Sequence, residues 1–298
     1  MARSHTERLF YRLLYTQSSF HFLDWLGKAI GRKNAGLIAR CFATAYSYSH
    51  PSVIEVVRKN LAILDPAQAT TARARETFYH FALGLADYFA LGNLPLTEAT
   101  KYCTVREGYE SLQEVQRFGK GAILATGHFG FFEFGSTLLT ELGIANTALT
   151  FAEPSPALTQ WRADYRSRWG ANTIEIGSDA FASLQVVKAL AQGQFCAMLV
   201  DRPLTGPQIS MPAPGGSIAF STSASLLAYL ADCPIIPVVV HRLPDGTYRM
   251  AAKKPIFVVR DLPRREAMEQ ATREMATSLL SEFISHPTHW YHFIPVAR

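Results

Sequence analysis

The chain has 298 residues, enough to bury a large core as one domain with a helical appendage or as two closely packed layers. Hydrophobic residues make up 48% and charged residues 18%, below the roughly 25% charge usual in soluble domains, so part of the surface is expected to face something other than water. The net charge of +5 suits anionic lipid head groups or an acidic carrier protein, whereas dispersed Arg and Lys with no binding motif argue against nucleic acid.

Residues 1–100 read as a helical, membrane-associated region. From Leu9 to Leu26 the apolar Phe10, Leu13, Leu14, Phe20, Leu23 and Trp25 alternate with Arg8, Arg12, His21, Asp24 and Lys28. Aromatics spread over more than one face suit an interfacial helix with its bases against anionic lipid, where a core helix needs one stripe. Charges or His recur from Met1 to Ile30 without a cleavage site, so no secretory signal is expected. No window of about 18 residues is free of charge, so no spanning helix is expected either. Further helices are expected at Ala35 to Ser47, at Pro51 to Leu64 with proline in its tolerated first turn, and at Ala67 to Leu91, where Phe78, Phe81, Leu85 and Phe89 form a core stripe.

Residues 101–298 alternate short apolar strands with amphipathic helices. Strands are expected near Tyr102 to Val105, Ala122 to Thr126, Ala148 to Phe151, Thr173 to Ile176, Phe195 to Val200, Ile235 to His241 and Tyr248 to Ala252. Helices are expected at Tyr109 to Phe118, Phe132 to Leu142, Pro156 to Trp169, Ala180 to Ala191, Ser221 to Leu230 and Arg264 to Ile284. Such alternation predicts an α/β fold, a largely parallel sheet covered by helices with its chemistry at the C-terminal ends of strands. The separated Cys41, Cys103, Cys196 and Cys233, without a Cys-x-x-Cys pair, are expected to be reduced, buried thiols of a cytosolic compartment.

The stretch Gly121 to Gly135 reads as strand, tight turn and helix, with His128 at the turn. On one helix, five positions would leave His128 and Glu133 about 140° apart. They meet only if His128 precedes the helix and Gly127 and Gly130 let the backbone bend. The expected product is a base oriented by a carboxylate, an arrangement that contributes on the order of 10² to 10⁴ in rate. Asp201 follows the strand ending at Val200, so Asp201 and Arg202 are expected at the same sheet edge. Arg162 and Arg166 share a helix face, with Arg168 behind, and such a cluster suits a phosphate, a carrier-protein acid or a lipid head group as well as a solvated face. The tail His286, His289 and His292 suit a packed terminus better than a metal, since carboxylate or thiolate co-ligands are not evident nearby. No metal or redox cofactor is expected. There is no Gly-x-Ser-x-Gly elbow, Gly-x-x-x-x-Gly-Lys loop, His-Glu-x-x-His or Gly-x-Gly-x-x-Gly, which argues against serine hydrolase, nucleotide hydrolase, zincin and dinucleotide enzyme.

Taken together, several blocks resemble the bacterial lauroyl/myristoyl acyltransferase family, the late lipid A acyltransferases and related glycolipid acyltransferases. They are Val57-Arg58-Lys59-Asn60-Leu61, Arg106-Glu107-Gly108-Tyr109-Glu110, Gly127-His128-Phe129-Gly130-Phe131-Phe132-Glu133, Val200-Asp201-Arg202-Pro203, Phe220 to Arg242, and His286-Pro-Thr-His-Trp-Tyr291. The resemblance implies transfer of a fatty acyl group from a thioester, on acyl carrier protein or coenzyme A, to a hydroxyl of a membrane glycolipid at the cytoplasmic face of the bacterial inner membrane. It implies His128 as general base, Glu133 as its partner, and Asp201 with Arg202 lining the same site. Late lipid A enzymes commonly carry Asn-Trp where this chain has Phe131-Phe132, and an arginine where it reads Ala152-Glu153-Pro154-Ser155-Pro156. The acceptor therefore stays open among lipid A, ornithine lipid, a mannoside glycolipid and glycerol phosphate, and Arg166, Arg168 and Arg202 are the candidate oxyanion donors. Phe129, Phe131, Phe132 and Phe134 are candidate walls of an acyl tunnel, or simple core. The rival reading is a non-catalytic lipid or carrier-protein binding module on the same fold.

Overall fold

The computed structural model describes residues 16–177, 181–203 and 206–296. Phe10, Leu13 and Leu14 of the expected aromatic helix, and Ala180 of a later one, lie outside the described residues. Helix α1 (Gln17–Ser49) begins where the Thr16 side chain accepts from the Ser19 amide at 3.2 Å. It joins the two helices expected in this region across a kink at Gly31, whose φ of 70° interrupts the helical backbone. Its buried residues are Phe20, Gly27, Ala35, Ala43 and Ser47. Phe22, Trp25, Leu37, Ile38, Phe42 and Tyr48 remain more than half exposed.

Helix α2 (Pro51–Leu64) starts on its proline as expected, and Asp65 caps a short turn at Pro66–Gln68. Helix α3 (Thr71–Leu91) starts later than expected, because the Thr70 hydroxyl accepts from the Arg73 amide and sets the cap. Phe78 and Phe89 are buried, but Phe81 and Leu85 are each 38% exposed, so the expected core stripe is half a core. Arg32 of α1 grips Asp87 of α3 through Nε and Nη2 at 2.8 and 2.7 Å. Among the described residues no helix is long and apolar enough to cross a membrane.

Seven strands of the described chain form one sheet: β1 (Cys103–Glu107), β2 (Ala122–Thr126), β3 (Asn146–Thr150), β4 (Ala171–Glu175), β5 (Phe195–Leu199), β8 (Ile235–Arg242) and β9 (Tyr248–Ala252). Their order is β1-β9-β8-β2-β5-β3-β4. All neighbours are parallel except β8 and β9, so β1 and β9 run against the rest. The expected α/β class holds, and β2 and β9 have the expected bounds. A hairpin of β6 (Gln208–Ala213) and β7 (Gly216–Ser221) was not among the expectations; it forms a separate antiparallel pair.

Strand β2 is buried along its length, as a central parallel strand covered on both faces must be. Ile123 and Ala125 face one hydrophobic core with Phe129, Phe220, Leu279, Phe283 and Trp290. Ala122 and Leu124 face a second with Phe20, Phe89, Phe131, Phe134, Trp161 and Tyr248. The covering helices include α7 (Pro156–Ser167), α8 (Ala182–Ala191), α9 (Ser223–Ala231) and α10 (Arg264–Ser285). Phe20 of α1 and Phe89 of α3 belong to the second core, and the Tyr248 hydroxyl donates to Asp87 at 2.6 Å, so the helical layer is packed and bonded onto the sheet. Cys103, Cys196 and Cys233 are buried as expected, whereas Cys41 on α1 is exposed.

Candidate active site

Strands β2 and β5 are neighbours, and their last residues Thr126 and Leu199 are partners across the ladder. Pairing continues one step, with the Val200 amide donating to Thr126 O at 2.9 Å. His128 and Asp201 each lie two residues past those strand ends, so the register brings them together at the C-terminal edge of the sheet. Gly127 is required here: a Cβ on it would sit 2.5 Å from Phe283 Cζ and 3.0 Å from Asp201 Oδ2. Gly130 turns with φ of +56°, and a Cβ there would overlap the carbonyl oxygen of Val240.

The His128 ring donates from Nδ1 to Asp201 Oδ1 at 2.8 Å, and its backbone amide donates to Asp201 Oδ2 at 3.0 Å. Asp201 Oδ2 also accepts from Trp290 Nε1 at 2.9 Å and from His292 Nε2 at 3.3 Å. Burial alone would raise the Asp201 carboxyl, yet the imidazoles of His128 and His292 hold it well below the usual range. A carboxylate can only accept, so Nδ1 of His128 carries a proton, and in the neutral ring Nε2 presents a lone pair. Nε2 makes no hydrogen bond among the described residues, and the side chain keeps 25% exposure. Such an arrangement can act as an oriented base toward a hydroxyl on its open side.

The carboxylate expected to orient His128 is elsewhere. The backbone from Phe132 to Phe134 is a 3-10 turn preceding α6 (Gly135–Glu141), and Glu133 is claimed by two guanidiniums. Arg166 reaches it through Nε and Nη2 at 3.0 and 2.9 Å, and Arg162 through Nη2 at 2.8 Å. Arg162 also holds Glu153 at 2.7 Å. Burial would raise the Glu133 carboxyl, but Arg166 and Arg162 outweigh it and hold it down to about 2. The Arg162 and Arg166 face, expected to meet a phosphate, a carrier acid, a head group or solvent, instead holds the protein's own acids Glu133 and Glu153.

The remaining candidates separate in the same way. Arg168 donates from Nη1 to Asp24 at 2.9 and 3.1 Å and lies over the Tyr165 ring. Phe131 is buried among Phe134, Tyr248 and Trp169 in the second core, and Phe129 and Phe134 are fully buried. Of the four phenylalanines offered as tunnel walls, Phe132 alone has its ring near His128, 6.2 Å between centroids. Arg202 donates from Nη2 to Tyr291 O at 2.9 Å, its Nε is buried without a hydrogen-bond partner, and no carboxylate pairs with it among the described residues. Burial lowers its guanidinium despite nearby Asp201.

Trp290 and His292 were not expected beside the base. The tail histidines diverge: His292 goes to Asp201, while the His286 ring comes within 4.0 Å of Glu282. Among the described residues two groups bring three metal-ligating side chains together, His128, Asp201 and His292, and His241, Glu282 and His286. In the first, both imidazoles already bond the carboxylate; in the second, Arg249 and Lys253 hold Glu282.

The family model of bacterial lipid A biosynthesis acyltransferases matches residues 12–296, nearly the whole chain. A comparison with curated proteins gives no match.

Proposed function

We propose that this chain, which belongs to the bacterial lipid A biosynthesis acyltransferase family, moves a fatty acyl group from a thioester of acyl carrier protein or coenzyme A to a hydroxyl of a membrane lipid or glycolipid. The observation that carries the reading is the His128 ring fixed through Nδ1 on buried Asp201 with Nε2 left open. Nε2 takes the proton of the acceptor hydroxyl as its oxygen attacks the thioester carbonyl carbon. The tetrahedral oxyanion collapses, the C–S bond breaks, and the imidazolium returns the proton to the leaving thiolate. Asp201 stabilises the imidazolium and fixes the tautomer, the role first expected of Glu133.

Arg202 is the oxyanion donor favoured here, because Arg162, Arg166 and Arg168 are bound to Glu133, Glu153 and Asp24 while Arg202 lacks an acid partner among the described residues. Glu133 serves as the half-buried anion that sets the arginines of α7 against the catalytic turn. No metal enters the scheme. We assign α1 to an anionic membrane interface at the cytoplasmic face of the inner membrane; the exposed Phe22, Trp25, Leu37, Ile38 and Phe42, alternating with Lys28, Lys33 and Arg40, support this reading.

The test is acyl transfer by purified protein from acyl carrier protein and coenzyme A thioesters, wild type against His128→Ala, with mass spectrometry of lipids from cells lacking or overexpressing the protein to name chain and acceptor. The variant is expected to lose on the order of 10² to 10⁴ in rate. A variant as fast as wild type overturns the reading in favour of another site, and a wild type without transfer favours a binding module.

A further inference from the structure

Asn60 is a buried polar residue on the apolar face of α2, beside Val57, Leu61 and Leu64. An amide in that place costs free energy unless it is bonded. Its Nδ2 donates to the carbonyl oxygens of His292 and Ile294 at 2.9 and 2.8 Å, and its Oδ1 accepts from the Val296 amide at 3.1 Å. All three partners lie on the chain after the short turn Pro287–His289, a strap without helix or strand of its own. One side chain thus takes the place of a neighbouring strand.

The same strap carries the contacts that define the candidate active site. Besides Trp290 and His292 on Asp201, the Tyr291 amide donates to His128 O at 2.7 Å and the Gly130 amide donates to His289 O at 2.8 Å. Tyr291 O accepts from Arg202. Base, orienter, catalytic turn and oxyanion candidate are therefore all bonded to residues 289–292, and Asn60 anchors that segment from its far end.

We propose that Asn60 is a positioning residue for acyl transfer: it fastens the strap at residues 292–296 and, through Trp290 and His292, sets the orientation of Asp201 and His128. The proposal rests on the acyl-transfer reading above. A side chain that only stabilised the fold would alter unfolding and leave the geometry of the folded site alone. The strap makes a different demand, since displacement of a reacting group by about 1 Å costs on the order of 10²-fold in rate.

The experiment uses the full chain with Asn60→Leu, Asn60→Asp and Trp290→Phe. Asn60→Leu removes all three bonds at similar volume; Asn60→Asp keeps the shape and the Val296 acceptor but loses both donors, and it serves alone if the leucine variant does not fold. Two readouts are taken below the unfolding transition. The first is kcat and KM for a long-chain acyl-coenzyme A thioester. The second is the low-field proton resonance of His128 Nδ1, assigned by its absence in His128→Ala, which reports the bond to Asp201 whether or not acyl transfer is the reaction. The Asn60 variants are expected to lose about 10- to 100-fold in kcat with donor KM within about twofold, and to shift or lose the low-field proton. Adding Trp290→Phe to Asn60→Leu, or to Asn60→Asp if that variant serves alone, is expected to cost less than the product of the two single effects, since both act through one strap. Wild-type kcat, an unmoved proton resonance or multiplicative effects overturns the proposal. If His128→Ala transfers at the wild-type rate while the resonance still follows Asn60, the acyl-transfer reading fails and the mechanical link stands.

Discussion

Glu133→Gln separates the two carboxylates that sequence and structure offer as partners of His128. Glu133 is held by Arg162 and Arg166, and its carboxyl is lowered from 4.5 to about 2. That drop corresponds to about 3 kcal/mol of stability. Because the folded value is depressed, this contribution is present above pH 4.5 and is lost as pH falls toward about 2. The glutamine removes the acid that Arg166 and Arg162 share, so the variant is expected to lose about 3 kcal/mol at neutral pH, a fall in Tm of roughly 6–12 °C. Thermal unfolding across pH 2 to 7 is expected to show wild type and variant converging on the acid side of 4.5. In the transfer assay below the transition, the variant stays within about tenfold of wild type, while Asp201→Asn loses on the order of 10² to 10⁴. A Glu133→Gln variant with unchanged Tm and the rate loss of Asp201→Asn would refute the assignment and return the orienting role to Glu133.

Arg202→Met removes a half-buried guanidinium that has no acid partner among the described residues; kcat is expected to fall by about 10² to 10³ with a smaller change in donor KM, and a loss confined to KM would make Arg202 a ground-state binder instead. Trp25→Asp combined with Phe42→Asp places two acids on the exposed face of α1 and is expected to reduce cosedimentation with phosphatidylglycerol-containing vesicles at unchanged Tm. Equal binding by the two proteins would remove α1 from the interface.

Much of the fold was legible because strands β2, β5, β8 and β9 are short apolar runs bounded by turns, and their placement follows from period and punctuation alone. The hairpin of β6 and β7 escaped because Pro212 interrupts one strand and its alternation spans only six residues. The site was half legible. His128 and Asp201 were each read at a strand end, but the adjacency of β2 and β5 is a fact of sheet order that spacing does not carry. Glu133 drew the assignment through its nearness in sequence and the family resemblance, and Arg162 and Arg166 were read as an anion receptor or a solvated face. These two signals answer each other, since Glu133 is the anion. An acid five residues beyond a base, with two arginines four apart downstream, could have been balanced charge against charge. His292 and Asn60 needed the tertiary structure, because their partners lie 91 and 232 residues away in sequence.

The most direct test of the central claim is the rate of acyl transfer from acyl carrier protein thioester by purified Asp201→Asn, compared at equal folded fraction with wild type and His128→Ala. The account predicts that Asp201→Asn falls by on the order of 10² to 10⁴, approaching the loss in His128→Ala. Transfer by Asp201→Asn at the wild-type rate would contradict it.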